Sequence, residues 1–275
     1  MSDKEPIPTA TTRVSIQWLE LTYMHMQDDD APQERTSTLV LTAPSGIFID
    51  LRVLVDCIPD AAHAHEPQPS FAIDWAFAGM ATHQSGSSGS NLTESTWTHW
   101  VDSRTSDALS VRDSGVSSPM PNGDTCEQGE MKDANGVLRR YQEVWHDLRV
   151  DPACASVFVR FRDGSEAAAR GISVHPKDIN PEDVCGVLIR VGGWCQGVLR
   201  DTSGFTAERW ILSGGTADSN AKTWAPVCRS GQGKIPCMEV CNAPQAPLSG
   251  SFELLEPQGL WKCVETRERA PIRND

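Results

Sequence analysis

No run of this chain approaches the roughly 18 apolar residues of a membrane-spanning helix. Val187–Val191, among its longer apolar stretches, is interrupted by Arg190. Residues Met1–Thr12 are polar and Pro/Thr-rich and lack the apolar segment of a secretory signal. The expectation is a cytoplasmic protein, with the nucleus also open to it, that is neither secreted nor membrane-inserted. Basic charge is scarce: 24 Lys and Arg stand against 37 Asp and Glu, a formal net charge of −13. Nucleic acid and anionic membranes both demand a basic patch, so neither is an expected partner. Tyrosine is scarce as well, two residues against nine tryptophans. The standard motifs of catalysis and cofactor binding are missing: no G-x-G-x-x-G opening a helix, no P-loop, no G-x-S-x-G, no H-E-x-x-H. No cofactor is expected, and any catalysis would be cofactor-free.

Nine cysteines suggest a disulfide framework until the odd count and the missing secretory signal are weighed, after which reduced thiols are the expectation. Cys57, Cys185 and Cys195 lie in apolar strand-like runs and read as small core residues. Cys237 and Cys241 are spaced C-x3-C without a second pair, and His63 and His65 stand alone in a loop. A closed zinc site needs four ligands, so no metal is expected.

The dominant period is two, the signature of strands with distinct faces. Phe71, Ile73, Trp75 and Phe77 alternate with small or polar residues. Ile47, Ile49, Leu51, Val53 and Val55 alternate with Asp50 and Arg52 opposite. Thr96–Val101 is rich in strand formers. Val157, Val159 and Phe161 alternate, as do Val187, Ile189 and Val191. The pair Gly192-Gly193 reads as a bend or bulge before the strand resumes at Trp194. Leu138–Leu148 fits either a short helix or a strand following the turn Asn135-Gly136, and strand is preferred. Asp28–Thr36, Pro59–Pro69, His83–Asn91, Ser103–Gly123, Gly164–Asp183 and Gly214–Lys222 read as long polar loops. Many short strands with Gly/Pro/Ser-rich turns imply an all-β sandwich or barrel.

Several segments, in order, resemble a known family. Ile73-Asp74-Trp75-Ala76-Phe77-Ala78-Gly79 is similar to the "WAFAG" segment of the fungal HRI family, named for interaction with a yeast casein-kinase-I-type kinase. Ser95–Ser103 resembles its Trp-rich strand, Tyr141–Trp145 its "E-x-W" segment, and Val191–Leu199 its "G-x-W-x-Q-G" segment. Ala207–Trp210 and Ile235–Cys237 resemble its C-terminal markers. The likeness spans about Ser15 to Thr266. It implies two tandem lipocalin-like antiparallel barrels with long polar loops, contact with protein partners such as a Ser/Thr kinase, and no known catalytic residues. The expected layout is a disordered tail (1–12), an N-terminal barrel (13–150), a C-terminal barrel (151–267) and a polar tail (268–275). The Ser-rich stretches Ser85–Ser90 and Ser103–Ser118, and the acidic Asp28-Asp29-Asp30, read as local loops.

Aromatic side chains on barrel strands either fill the interior or wall a cavity for one small ligand. The candidate ligand-binding residues are Trp75, Phe77, Trp97, Trp100, Tyr141, Trp145, Trp194, Gln196 and Trp210. On a strand, Glu143 shares a face with Trp145, Trp194 with Gln196, and Glu208 with Trp210. A carboxyl beside an indole in an apolar pocket suits general-acid work, which makes Glu143 and Glu208 the catalytic candidates. The plainer alternative pairs Glu143 with Arg139 or Arg140, and Glu208 with Arg190 or Arg200. The expected function is a non-enzymatic tandem-barrel protein that binds a small apolar ligand, a protein partner, or both. The runner-up is a cofactor-free isomerase or cyclase acting on an apolar natural product.

Overall fold

The computed structural model describes residues 6–19, 32–55, 72–86, 91–132, 137–151, 154–163, 175–213, 222–243, 253–256 and 259–267. Cys57, His63, His65, Phe71, the Asp28–Asp30 run, the turn Asn135-Gly136, most of Ser85–Ser90, the loops Pro59–Pro69 and 214–221, and the tail 268–275 lie outside the described residues. Strands β1 (Thr9–Leu19), β2 (Thr36–Thr42), β3 (Ile47–Leu54), β4 (Ile73–Ser85), β5 (Thr93–Asp102), β6 (Arg112–Pro119), β7 (Thr125–Lys132) and β8 (Leu138–Asp147) follow one another. They form a closed antiparallel barrel in chain order, with β8 returning to β1. Strands β9 (Ala155–Phe161), β10 (Val184–Val191), β11 (Trp194–Asp201), β12 (Gly204–Ser213), β13 (Thr223–Ser230), β14 (Glu253–Glu256) and β15 (Gly259–Arg267) form a second sheet. A short helix, α1 (Cys237–Asn242), lies between β13 and β14 in sequence. No helix among the described residues is long and apolar enough to cross a membrane.

The all-β class and the first barrel match expectation, but among the described residues the second sheet is not closed. It is a seven-stranded sheet in the order β13-β12-β11-β10-β9-β15-β14, and its edges do not meet among the described residues. The edge strands suit an open sheet. Pro226 of β13, opposite Trp210, has no N–H to donate to a further strand, and β14 is only four residues long. Three local expectations also change. Gly192-Gly193 is not a mid-strand bulge. It is the two-residue turn of a hairpin in which Val191 faces Trp194 across β10 and β11, and Gly192 takes φ +56°. Ser103–Gly123 is not a loop, because β6 occupies Arg112–Pro119. Thr9–Thr12, expected in a tail, begin β1 and pair with β2. Leu138–Leu148 is a strand, as preferred.

The main core lies outside the barrel. Ile47, Ile49, Leu51 and Val53 on β3 point away from the lumen, as do Ala76 and Ala78 on β4 and Leu39 and Leu41 on β2. They pack in one cluster with Val157, Val159, Phe161, Val187, Ile189 and Val191 of the second sheet. Each fully buried branched side chain is worth about 1.5–3 kcal/mol. The small Ala76 and Ala78 let the two sheets approach. Both faces of β3 are therefore buried, with burial almost continuous along the strand.

Two bulges re-aim side chains. Arg52 pairs with Trp75 but Val53 pairs with Ile73, so Asp74 is extra. Ile73 turns outward to the inter-sheet core and leaves the face of Trp75. Ala78 pairs with Val101 but Gly79 pairs with His99, so Trp100 is extra. It joins Val101 in the outer core, while His99 and Asp102 come to the same side and hydrogen-bond.

The opposite face of the second sheet is covered by α1 and its approach segment. Phe158, Leu188, Leu199, Ile235, Val240 and Trp261 pack there with Cys185, Cys195, Cys237, Cys241 and Cys263. All eight described cysteines are free thiols.

Polar ties cross the sheet interface. Arg209 is fully buried, and its Nε donates to Gln196 Oε1 at 2.7 Å. Its Nη1 donates to Ser37 O at 3.1 Å and its Nη2 to Leu51 O. Gln196 Nε2 donates to Leu39 O at 3.1 Å. Arg209 has no carboxylate among these partners, so backbone carbonyl dipoles carry its charge, and burial pushes the guanidinium down from its usual value. Arg209→Met, which keeps the volume but leaves those acceptors unpaired, is expected to lower the unfolding free energy by about 3 kcal/mol in urea denaturation. A change under about 0.5 kcal/mol would show that the tie contributes nothing to the docking of the sheet.

Candidate functional site in the barrel lumen

With its outer face serving as core, the barrel keeps an open interior. A cavity of about 320 Å³ runs inside it, walled by Val40, Phe48, Trp75, Phe77, Trp97 and Trp145. Hydroxyl side chains line one end, where Thr9 pairs with Thr42 and Thr93 with Ser117. His83 Nδ1 and Ser95 Oγ lie 2.8 Å apart on the same wall. Two guanidinium groups lie over the Trp75 ring, Arg52 at 5.1 Å and Arg104 at 4.3 Å from its centroid, and its Nε1 donates to Asp102 Oδ1 at 3.0 Å.

Asp50, Arg52 and Glu143 line the cavity and form a charged network with Arg13 and Glu34. Arg13 Nη1 donates to Glu143 Oε1 at 2.6 Å, and its Nε to Glu34 Oε2 at 2.7 Å. Arg52 Nη2 donates to Asp50 Oδ2 at 2.8 Å, and its Nη1 lies 3.4 Å from Glu143 Oε1. Burial alone would depress the Arg52 guanidinium, but Asp50 and Glu143 outweigh it and raise it above its usual value. Burial would raise Glu34, but hydrogen bonds from Arg13 and Thr36 hold it below the ordinary carboxylate range.

Opposite Glu143 across the β7–β8 ladder stands Glu127. A like charge close by disfavours ionisation of a buried carboxyl. Glu143 has both arginines, while Tyr141 Oη donates to Glu127 Oε1 at 2.8 Å. Burial, and then the repulsion of Glu143, push the Glu127 carboxyl up to about 8. Burial and the same two carboxyls raise the Tyr141 phenol. Two glycines make room for this pair. A Cβ at Gly129 would sit 2.6 Å from Tyr141 Oη, and one at Gly115 3.0 Å from Glu127 Cγ.

A second acid–base cluster borders the lumen. His99, wholly buried, stacks on Phe77 with ring centroids 4.2 Å apart. Its Nδ1 lies 2.7 Å from Asp102 Oδ2, and its Nε2 lies 3.2 Å from Asp113 Oδ2, off the line of a good hydrogen bond. Burial opposes its charge, but the two aspartates outweigh burial and raise the imidazole. Burial would raise Asp102, yet donors from His99, the Arg104 backbone and Trp75 lower it. Asp113 lines the cavity and His99 does not. Among the described residues no three or more His, Cys, Asp or Glu side chains are arranged to hold a metal ion.

Of the residues singled out from the sequence, Trp75, Phe77, Trp97, Tyr141, Glu143 and Trp145 line this one cavity. The others lie elsewhere. The bulge puts Trp100 in the inter-sheet core, with Trp194 packed against it and Gln196 bridging to the barrel carbonyls. Glu208 and Trp210 share a face, joined by a 3.0 Å hydrogen bond from Trp210 Nε1. That face is the α1 side of the sheet, and Glu208 pairs with Arg229. Both glutamates are thus paired with arginines, but not with those expected from sequence proximity.

Arg13, His99, Asp113 and Glu127 were not among the candidates singled out from the sequence. Asp50 and Arg52 were noted only as the polar side of β3. Their signal was two opposite charges inside an otherwise apolar strand beside an aromatic one. Asp113 and Glu127 gave none, because β6 and β7 are rich in Ser, Gly and charge and carry no apolar alternation.

Comparison with known proteins agrees with the fold. The family model described as Protein HRI1 matches residues 9–265. A solved structure, that of the uncharacterized protein YLR301w from Saccharomyces cerevisiae, is similar with a TM-score of 0.58 and 18% identity, over 94% of this chain and 98% of that one. No curated protein sequence matches. At that identity the structural likeness shows the fold alone, but the family match runs from β1 to β15, and the chain belongs to the HRI1 family.

Proposed function

We propose that the barrel lumen binds one small, neutral, largely aromatic molecule with a hydrogen-bonding end. The observation that carries this reading is the cavity itself: about 320 Å³, at the lower end of the roughly 300–1,000 Å³ of ligand sites, with aromatic walls around convergent polar groups. Charge selects the class. Arg13 and Arg52 are engaged by Glu34, Glu143 and Asp50, so an anion finds no free counter-charge among them. A neutral polar end can use what is left over: Asp50 Oδ1 and Trp145 Nε1 have no hydrogen-bond partner among the described residues, and both residues line the cavity. The ligand is therefore amphipathic rather than simply apolar. Cofactor-free isomerisation is the second reading, favoured by the proton-bearing Glu127 inside the same cavity.

Native mass spectrometry of the full chain with a panel of neutral bicyclic aromatics is expected to show one bound molecule per chain. Ser117→Trp, which fills the lumen, should weaken binding at least about tenfold, while Leu138→Trp on the exposed exterior leaves it unchanged. Binding that survives Ser117→Trp would place the site outside the lumen.

The Glu127 carboxyl also has a stability signature. Its folded value is raised, so the folded state holds this proton more tightly than the unfolded chain. The stabilisation is complete below the ordinary glutamate range and is lost as pH rises through about 8. Relative to Glu127→Gln, the wild type is expected to lose unfolding free energy between about pH 5 and pH 9. Parallel wild-type and variant curves over that window would show that Glu127 ionises like an exposed residue.

A further inference from the structure

Asp113 and Glu127 belong to one wall of the cavity. Glu127 leans over Gly115, and Asp113 is two residues further along β6 on the same face, about 7 Å away by strand geometry. Tyr141 senses both: its hydroxyl bonds to Glu127, and Asp113 is among the charges acting on it. The two acids have opposite surroundings. Asp113 faces an imidazole fixed by Asp102, and Glu127 faces a phenol and another carboxylate. A carboxylate base beside a neutral carboxylic acid hydrogen-bonded to a tyrosine is a known solution for moving a proton next to a carbonyl. The base removes the proton, and the neutral acid donates to the oxygen on which charge develops.

Resting on the reading that the lumen binds a small neutral molecule, we propose that it catalyses allylic isomerisation of a β,γ-unsaturated ketone, with Asp113 as the base and Glu127, backed by Tyr141, as the oxyanion donor. The Asp113 carboxylate takes the proton from the carbon between carbonyl and alkene. The C–H electron pair forms a new C=C bond, and the carbonyl π pair moves to oxygen, where the Glu127 O–H donates. The dienolate then collapses, and Asp113 returns the same proton to the γ-carbon, giving the conjugated ketone. No electron leaves or enters, and no co-reactant is consumed. The aromatic walls suit a planar dienolate. His99 is a positioning residue that holds Asp113.

The state of Glu127 sets the alkaline limit. Glu143 and Tyr141 from β8 and Asp50 and Arg52 from β3 face it, and activity falls as it ionises near pH 8.

The test uses the full chain with cyclic and acyclic β,γ-unsaturated ketones, read as growth of the conjugated product's ultraviolet absorbance. In parallel, binding of β-naphthol, whose oxygen stands in for the oxyanion, is read by tryptophan fluorescence. Wild type is expected to turn over and to bind β-naphthol. Asp113→Asn should lose about 10³-fold in kcat with β-naphthol affinity within about twofold. Glu127→Gln, which keeps an N–H donor, should retain more activity than Glu127→Ala. His99→Gln should lower kcat and leave KM and β-naphthol affinity unchanged, whereas loss of both would make it merely structural. Binding of β-naphthol without turnover, or turnover retained in Asp113→Asn, overturns the catalytic proposal and leaves the binding reading standing. Absence of both naphthol binding and turnover overturns the two together.

Discussion

The packing of the second sheet against the outer wall of the barrel is the constraint on which the other features depend. An eight-stranded barrel is just wide enough to be filled by its own side chains or to hold one small molecule. Had the barrel stood alone, its lumen would have been its core, and Asp50, Arg52 and Glu143 would have been costly there. Here Ile47, Ile49, Leu51 and Val53 face the sheet, and stability comes from outside the barrel. The lumen is thereby freed to hold ions, hydroxyls and space. The open sheet serves as a cover: one face packs on the barrel and the other on α1.

A lumen released from core duty still has to balance charge. Removing carboxylates and guanidinium groups from water costs several kcal/mol per ion, repaid only by good geometry. Arg13, Arg52, Glu143, Asp50 and Glu34 meet that condition as a chain of short contacts. Glu127 is the remainder. Burial, and then Glu143 opposite it, push its carboxyl up to about 8. Glu127, Asp113 and the aromatic side chains line one cavity, and the proposed neutral ligand is chosen to suit that set.

The strands were legible where alternation was strong, as in β3, β4, β9 and β10. Which face turned inward was not, because both faces of β3 and β4 are buried, and periodicity reports contrast rather than direction. The aromatic side chains divide for the same reason: Trp75 and Trp97 line the cavity, whereas a single extra residue at Trp100 sends that indole out. Pairings such as Arg13 with Glu143 join β1 to β8, ends of the barrel that are distant in sequence, so local spacing carried no trace of them. Closure of the second half was expected from likeness of its segments, but edge chemistry decides closure. Pro226 and the short β14 speak against it, and neither is a periodicity signal.

The proposed binding requires a lumen that is hollow and polar rather than packed. A crystal structure resolving ordered water tests this most directly. The expected result is water or a bound molecule inside the barrel, in hydrogen-bond contact with Asp50 Oδ1 and Trp145 Nε1, with Glu143 held between Arg13 and Arg52. A lumen filled by inward-turned Trp97 and Trp145, with the arginines displaced from Glu143, would contradict it.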